Sequence, residues 1–258
     1  MLYQMLGPLL ITTAHGRPVG SLTPKPSRLL IHLLLRSNEW ISTSRLIDSV
    51  WDGHPPASAR SNLKTYIAQL RRLLAEDGDS PISTSAEGYA LRLGVGALDV
   101  RVFQTLAERG GDSLRAGDPL AAAAALDYAL SLWRGDFLHG HDLRGDLTGW
   151  QEELQEQRLV ASEDLYEARL ALGQHDELIH GLLSWTMRHP LRERAHGLLM
   201  LALYRSGRQV EALDIYRRLR TALIRDVGVE PTTRLREIQQ VILLSDPVCP
   251  SRLTWVAT

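Results

Sequence analysis

The sequence predicts a mainly α-helical protein with a small β part, in which short strands frame three helices and a long all-helical segment follows. Three observations predict it: helical apolar spacing across residues 58–74, short apolar runs punctuated by turn residues on either side of the helices, and almost unbroken helical patterning after residue 96.

Size and composition set the outer bounds. A chain of 258 residues, 44% hydrophobic and 23% charged, has room for two domains, each with its own core. The division expected is 1–95, 98–245 and a tail at 246–258. No apolar run reaches the roughly 18 residues of a membrane span, and the stretch 29–35 is broken by His32 and lies too far in for a signal sequence. The expected location is therefore the cytoplasm, close to the nucleoid, with no membrane partner. One cysteine, Cys249, excludes an internal disulfide and a cysteine-rich zinc site. Net charge is −1, divided as 10 Lys plus Arg against 7 Asp plus Glu in residues 1–97 and 19 against 23 in residues 98–258. A mildly basic head precedes an acidic body.

The elements follow in order. LYQML, Gly7-Pro8, LLITT, HGRP and VGSL read as short antiparallel strands. After Pro24, SRLLIHLLLRSNE is an apolar helix ending near Ser37-Asn38, and Ser42 or Thr43 starts a short helix over 45–51 that Asp52-Gly53 and Pro55-Pro56 stop. The third helix is 58–74. From 81 to 93 the chain is extended, with a turn at Gly88 and with Tyr89, Leu91 and Leu93 on one side. Strands, three helices and a hairpin make a winged helix-turn-helix, a fold that lays its third helix in the major groove of DNA.

That third helix carries the functional reading. Ala59, Leu63, Tyr66, Ile67, Leu70, Leu73 and Leu74 fall on one face, the core face. Ser61, Thr65, Ala68 and Arg72 point the opposite way, flanked by Arg60, Lys64 and Arg71 on one side and by Asn62 and Gln69 on the other. Small residues allow close approach to a groove, Arg and Lys meet phosphates or guanine, and Asn and Gln pair with adenine. Arg72 and Thr65 rank first by their central position. The wing adds Thr84, Ser85, Gly88 and Tyr89, of which Tyr89 is better suited to anchoring the wing than to stacking on a base. Trp40 and Trp51 are expected in the core.

The second segment shows a weak repeat. Gly173 and Gly207 stand 34 residues apart, the tetratricopeptide period, and Leu178, Ile179, Leu182 and Trp185 after the first match Ala212, Leu213, Tyr216 and Leu219 after the second. Gly117 opens a third unit with Ala122, Ala123, Leu126 and Ala129, but 56 residues before Gly173. The interval holds an insertion, and residues 132–150, broken by Gly135, Gly140, Gly145 and Gly149, read as an irregular connector. Such helix pairs present a surface to a protein or peptide and seldom do chemistry. His139 and His141 with Asp136, Asp142 and Asp146 match no zinc spacing and read as a solvated loop; Glu152-Glu153 and Glu163-Asp164 read as salt-bridged surface.

These residues carry a resemblance. The first 95 residues resemble the OmpR-type winged helix, and the chain from about 2 to 245 is similar to the Streptomyces antibiotic regulatory proteins, in which that domain is fused to a bacterial transcriptional activation domain. The marks are LGPL at 6–9, RLIDSVW at 45–51, PPASAR at 55–60, LKTYIAQLRRLL at 63–74, GY at 88–89, LDVRVF at 98–103, ALSLWRG at 129–135, HPLRER at 189–194, LALYRSGRQVEALDIYRRLR at 201–220 and GVEP at 228–231. The resemblance implies an activator that binds direct repeats in promoter DNA upstream of secondary-metabolite genes and engages the RNA polymerase holoenzyme. Direct repeats imply a head-to-tail homodimer on DNA, since a two-fold dimer demands an inverted repeat. Larger members append an ATPase domain; the chain has no GxxxxGK[ST] loop and no receiver domain, and the small stand-alone type is expected. No cofactor, metal or catalytic residue is expected.

The wing and the third helix both depart from the family pattern. Its wing commonly reads TRGPGY where this chain has Thr84-Ser85-Ala86-Glu87-Gly88-Tyr89, and its helix commonly has Arg where Gln69 stands; Lys64 replaces a usual glutamine. Fewer phosphate contacts weaken binding and flatten its salt dependence. The alternative reading is accordingly a protein-interaction adaptor whose winged helix has lost DNA affinity and whose repeats bind a partner or effector. An enzyme has no supporting constellation.

Overall fold

The computed structural model describes residues 1–13, 16–75 and 79–244. The expected tail at 246–258, with Cys249, lies outside the described residues. The described residues pack as two units, the first of 1–104 with 131–156 and the second of 105–130 with 157–244, so the boundaries fall inside three helices.

In the first unit, β1 (Leu2–Gln4) and β2 (Leu10–Thr12) pair antiparallel with Tyr3 opposite Ile11, and bridges to Pro18 and Leu98 extend the sheet. Three helices follow: α1 (Pro24–Leu35), α2 (Thr43–Trp51) and α3 (Ala59–Leu73). α1 is apolar almost all round and is buried from Leu29 to Leu35, His32 included, as the central helix of a small bundle must be. Burial pushes the His32 imidazole below its ordinary value, against the opposing pull of Asp146. Ser42 caps α2, accepting the Arg45 N–H at 3.3 Å. Asp52, in the left-handed region at φ 52°, ends it. β3 (Ile82–Ser85) and β4 (Gly88–Leu91) form a hairpin, and Ile41 and Tyr89 exchange both backbone hydrogen bonds (2.9 and 3.0 Å) to make a third strand position.

The fold class is as the sequence predicts, a winged helix-turn-helix followed by a helical repeat. Three placements differ. Trp40 is 39% exposed, with the Arg92 guanidinium 5.1 Å from its ring, and Trp51 is half-buried against Tyr66 at 6.0 Å, so neither is a central core residue. The stretch 132–150 is no loose connector: Trp133, Phe137, Leu138 and Leu147 are buried, and a helix starts at Asp146. The Arg134 N–H reaches the Leu6 carbonyl at 2.7 Å and the Leu138 N–H the Met5 carbonyl at 2.9 Å. Glycines made the segment read as irregular, while its partners stand about 130 residues away.

The second unit contains helix pairs. α4 (Asp99–Arg115), α6 (Asp146–Ala171) and α8 (Glu193–Arg205) are each followed, through a glycine with φ between 75 and 83°, by α5 (Pro119–Ser131), α7 (His175–Arg188) and α9 (Gln209–Asp226), and α10 (Thr233–Leu244) follows. Each turn closes alike: the Asp118, Gln174 and Arg208 N–H groups reach back five residues to the Ser113, Arg169 and Leu203 carbonyls at 2.9, 3.1 and 2.8 Å. This is the glycine-dependent Schellman stop, used three times. The registered apolar positions are the core of each second helix, with Ala122, Leu126, Leu182 and Ala212 at 0% exposure.

Glu163 and Asp164 are not surface residues. Glu163 and Glu167 are buried at 2% and 4% exposure; Arg192 grips Glu163 with two 3.0 Å bonds, and Arg194 joins Asp164 (2.6 Å) to Glu167 (2.7 Å). The partners come from HPLRER, 27 and 29 residues further on, which a polar helical pattern does not reveal. Among the described residues, no helix is long and apolar enough to cross a membrane.

Candidate nucleic-acid interface

α3 is 15 residues long, about 22 Å at helical rise. Ala59, Leu63, Ile67 and Leu70 are buried, with Tyr66 and Leu73 half-buried, so the periodic face is the core face. Arg60, Ser61, Lys64, Thr65, Ala68 and Arg72 are exposed, and Asn62, Gln69 and Arg71 flank them half-buried. Two hydroxyls on this face turn back to the helix: Ser61 donates to the Ser58 carbonyl at 2.8 Å and Thr65 to the Ser61 carbonyl at 3.2 Å. Their oxygens still accept, and their small size leaves the ridge low between the cations.

Arg71 has partners within the fold. Its Nε–H donates to the Ile82 carbonyl at 3.1 Å and a second guanidinium nitrogen to the Thr84 hydroxyl, so it straps α3 to the first wing strand. Arg60, Lys64 and Arg72 are left as the outward cations of the helix.

The wing is short. Ser85 pairs with Gly88, so only Ala86 and Glu87 form its tip, and the Ser85 hydroxyl accepts the Glu87 N–H at 3.1 Å. Thr84 and Ser85 are exposed, as is Glu87, whereas Gly88 and Tyr89 are buried and therefore support the wing rather than face a ligand. Gly88 has no room for a side chain: at φ 139°, a Cβ there would lie 2.0 Å from the Ile41 carbonyl oxygen. That close approach is what lets β4 pair with Ile41 beside the start of α2.

The turn into α3 is held from α1 by residues the sequence did not single out. Lys25 donates to the Val50 carbonyl and the Arg28 Nε–H to the Ser49 carbonyl, both at 2.8 Å. Two cations thus occupy the C-terminus of α2, where its carbonyl dipoles favour positive charge. Arg28 also pairs with Asp52. No local pattern signals these contacts, because their partners are backbone carbonyls 21 and 25 residues away.

Comparison with known proteins matches this geometry. The family described as "Transcriptional regulatory protein, C terminal" matches residues 16–91, and the "Bacterial transcriptional activator domain" matches 98–243. Regulatory protein DnrI of Streptomyces peucetius is 36% identical over 257 residues, covering 96% of this chain and 93% of DnrI. The chain belongs to the Streptomyces antibiotic regulatory protein family. Regulatory protein AfsR of Streptomyces coelicolor is 41% identical over 234 residues, and there this family member spans only 23% of its relative. The solved structure of Mycobacterium tuberculosis EmbR, in complex with a low-affinity phosphopeptide, superposes with a TM-score of 0.91 at 31% identity over 97% of this chain and 67% of EmbR. As a member of the antibiotic regulatory family, the protein is a transcriptional regulator of the winged helix-turn-helix type, from a regulator family and not an enzyme family.

Proposed function

We propose that this regulator activates transcription by laying α3 in the major groove of promoter DNA and touching the adjacent backbone with Thr84 and Ser85. The supporting observation is the outward face of α3, where exposed Arg60, Lys64 and Arg72 alternate with Ser61, Thr65 and Ala68. Asn62 and Gln69 stand beside it to meet adenine edges. The sites are direct repeats upstream of secondary-metabolite genes, occupied by head-to-tail protomers, and the helical repeats engage the RNA polymerase holoenzyme. The setting is the bacterial cytoplasm.

A second reading has its own observation. Glu87 sits exposed at the tip of a two-residue wing, which places negative charge on the DNA side and favours an adaptor that works through its repeats. Fluorescence anisotropy at about 0.15 M salt separates the two. A DNA-reading regulator binds its own promoter fragment about a thousandfold or more tighter than a scrambled duplex. Equal affinities for the two duplexes reject it in favour of the adaptor.

A further inference from the structure

We infer that Arg28 is a positioning residue that couples residues 131–147 to the helix-turn-helix turn, making that insertion a working part of the DNA-reading unit. The insertion lies between two helices of the repeat segment in sequence, yet it packs with the winged helix. One end is fixed to the loop after β1. Arg134, Leu138 and His139 donate their N–H groups to the Leu6, Met5 and Gly7 carbonyls at 2.7, 2.9 and 3.2 Å, and Trp133 meets Phe103 edge-on at 5.3 Å. The same loop is held from the start of α4, where the Asp99 carboxylate accepts the Met5 and Leu6 N–H groups at 2.8 and 3.0 Å.

The other end runs along α1. The His141 ring shares a 3.0 Å hydrogen bond with the buried Ser27 hydroxyl, and Asp146 lies 3.6 Å from His32 and 3.9 Å from Arg36. Arg28 stands where the two structures meet. Its guanidinium donates to the Ser49 carbonyl at the end of α2, to the Asp52 carboxylate in the turn, and to the Arg144 carbonyl of the insertion at 3.2 Å. A planar fork of five donors can join three acceptors in this way; a lysine ammonium holds them less rigidly. Gly145, at φ 62°, takes the left-handed backbone there that glycine adopts without strain.

Asp52 is also the left-handed residue that redirects the chain from α2 toward α3. A shift of the insertion therefore pulls on the group that holds the turn and, through it, on the pose of α3. A cleft of about 480 Å³ lies along this seam, lined by Lys25, Ser27, Arg28, Asp52, His141 and Arg144 among others.

Hydrogen exchange and DNA binding of the full chain test the coupling. Arg28→Ala is expected to raise exchange at 52–58 and at 139–147 together, and Phe137→Ala, far along the insertion, is expected to raise exchange at 52–58 as well. Exchange that rises only beside each substituted residue overturns the inference. The DNA arm rests on the proposed reading role of α3. Arg28→Ala lowers affinity for the promoter fragment about tenfold, as for loss of charged hydrogen bonds, with an unchanged salt slope. A slope reduced by about 0.9 marks Arg28 as a phosphate contact and contradicts the positioning role. If the wild type shows no specific binding, the proposed function fails while the exchange arm still decides the coupling. Should Arg28→Ala not fold, Arg28→Lys carries the test, because it keeps the charge at the end of α2 but not the fork.

Discussion

Lys64→Ala flattens the dependence of log affinity on log salt by about 0.9, and Arg72→Ala leaves that slope nearly unchanged while costing about 1–3 kcal/mol of discrimination at one base pair. The difference follows from where the two cations stand. Lys64 is on the flank of α3, which in the proposed complex runs beside a phosphate backbone, whereas Arg72 is in line with Ser61, Thr65 and Ala68 along the centre of the outward face. Lys64 acts as a point charge and Arg72 offers the fork that guanine accepts. Both side chains are exposed, so neither substitution is expected to change the melting temperature measurably. Titrations of each variant at several salt concentrations, against the promoter fragment and single-base variants of it, check both halves. Affinity indifferent to both substitutions removes this face of α3 from the interface.

Arg194→Ala destabilises the second unit by about 3–5 kcal/mol, the cost of leaving buried charge without its partner. Arg194 joins Asp164 to Glu167, and the side chains of all three are at most 15% exposed. Burial opposes its charge, but the two carboxylates outweigh burial and hold the guanidinium above its ordinary value. Alanine takes the shared guanidinium away from two carboxylates that neighbour each other on one face of α6. Calorimetry of the full chain is expected to show the transition of this unit falling by about 10 °C or more. The comparison that isolates the charge is Arg217→Ala, whose 2.6 Å pair with Asp214 is exposed and whose removal changes stability by less than about 1 kcal/mol. Equal losses in the two variants contradict the account of the buried network.

What was legible in the sequence was local. The face of α3 could be read because Leu63, Ile67 and Leu70 recur within one helix, and the repeat because Gly117, Gly173 and Gly207 each stop a helix by the same turn. What escaped was long-range and often made by backbone. The bonds of Arg71 to the Ile82 carbonyl and Thr84 escaped because these groups become its neighbours only when the wing folds back. Glu163 and Asp164 looked like surface because nothing in α6 announces that Arg192 and Arg194 close over them. The insertion was the largest surprise. LGPL, LDVRVF and ALSLWRG, which stood as separate marks of resemblance, converge: Leu6 receives the Arg134 N–H on its carbonyl and gives its own N–H to Asp99.

The central claim is that α3 reads the major groove, and dimethyl sulfate protection of promoter DNA by the full chain tests it most directly, since the reagent marks guanine N7 in the major groove and adenine N3 in the minor. Guanine N7 positions are expected to be protected in two tracts of the same orientation, with the central protection of each tract lost in Arg72→Ala. Protection confined to adenine N3, two tracts in inverted orientation, or a pattern unchanged by Arg72→Ala would contradict it.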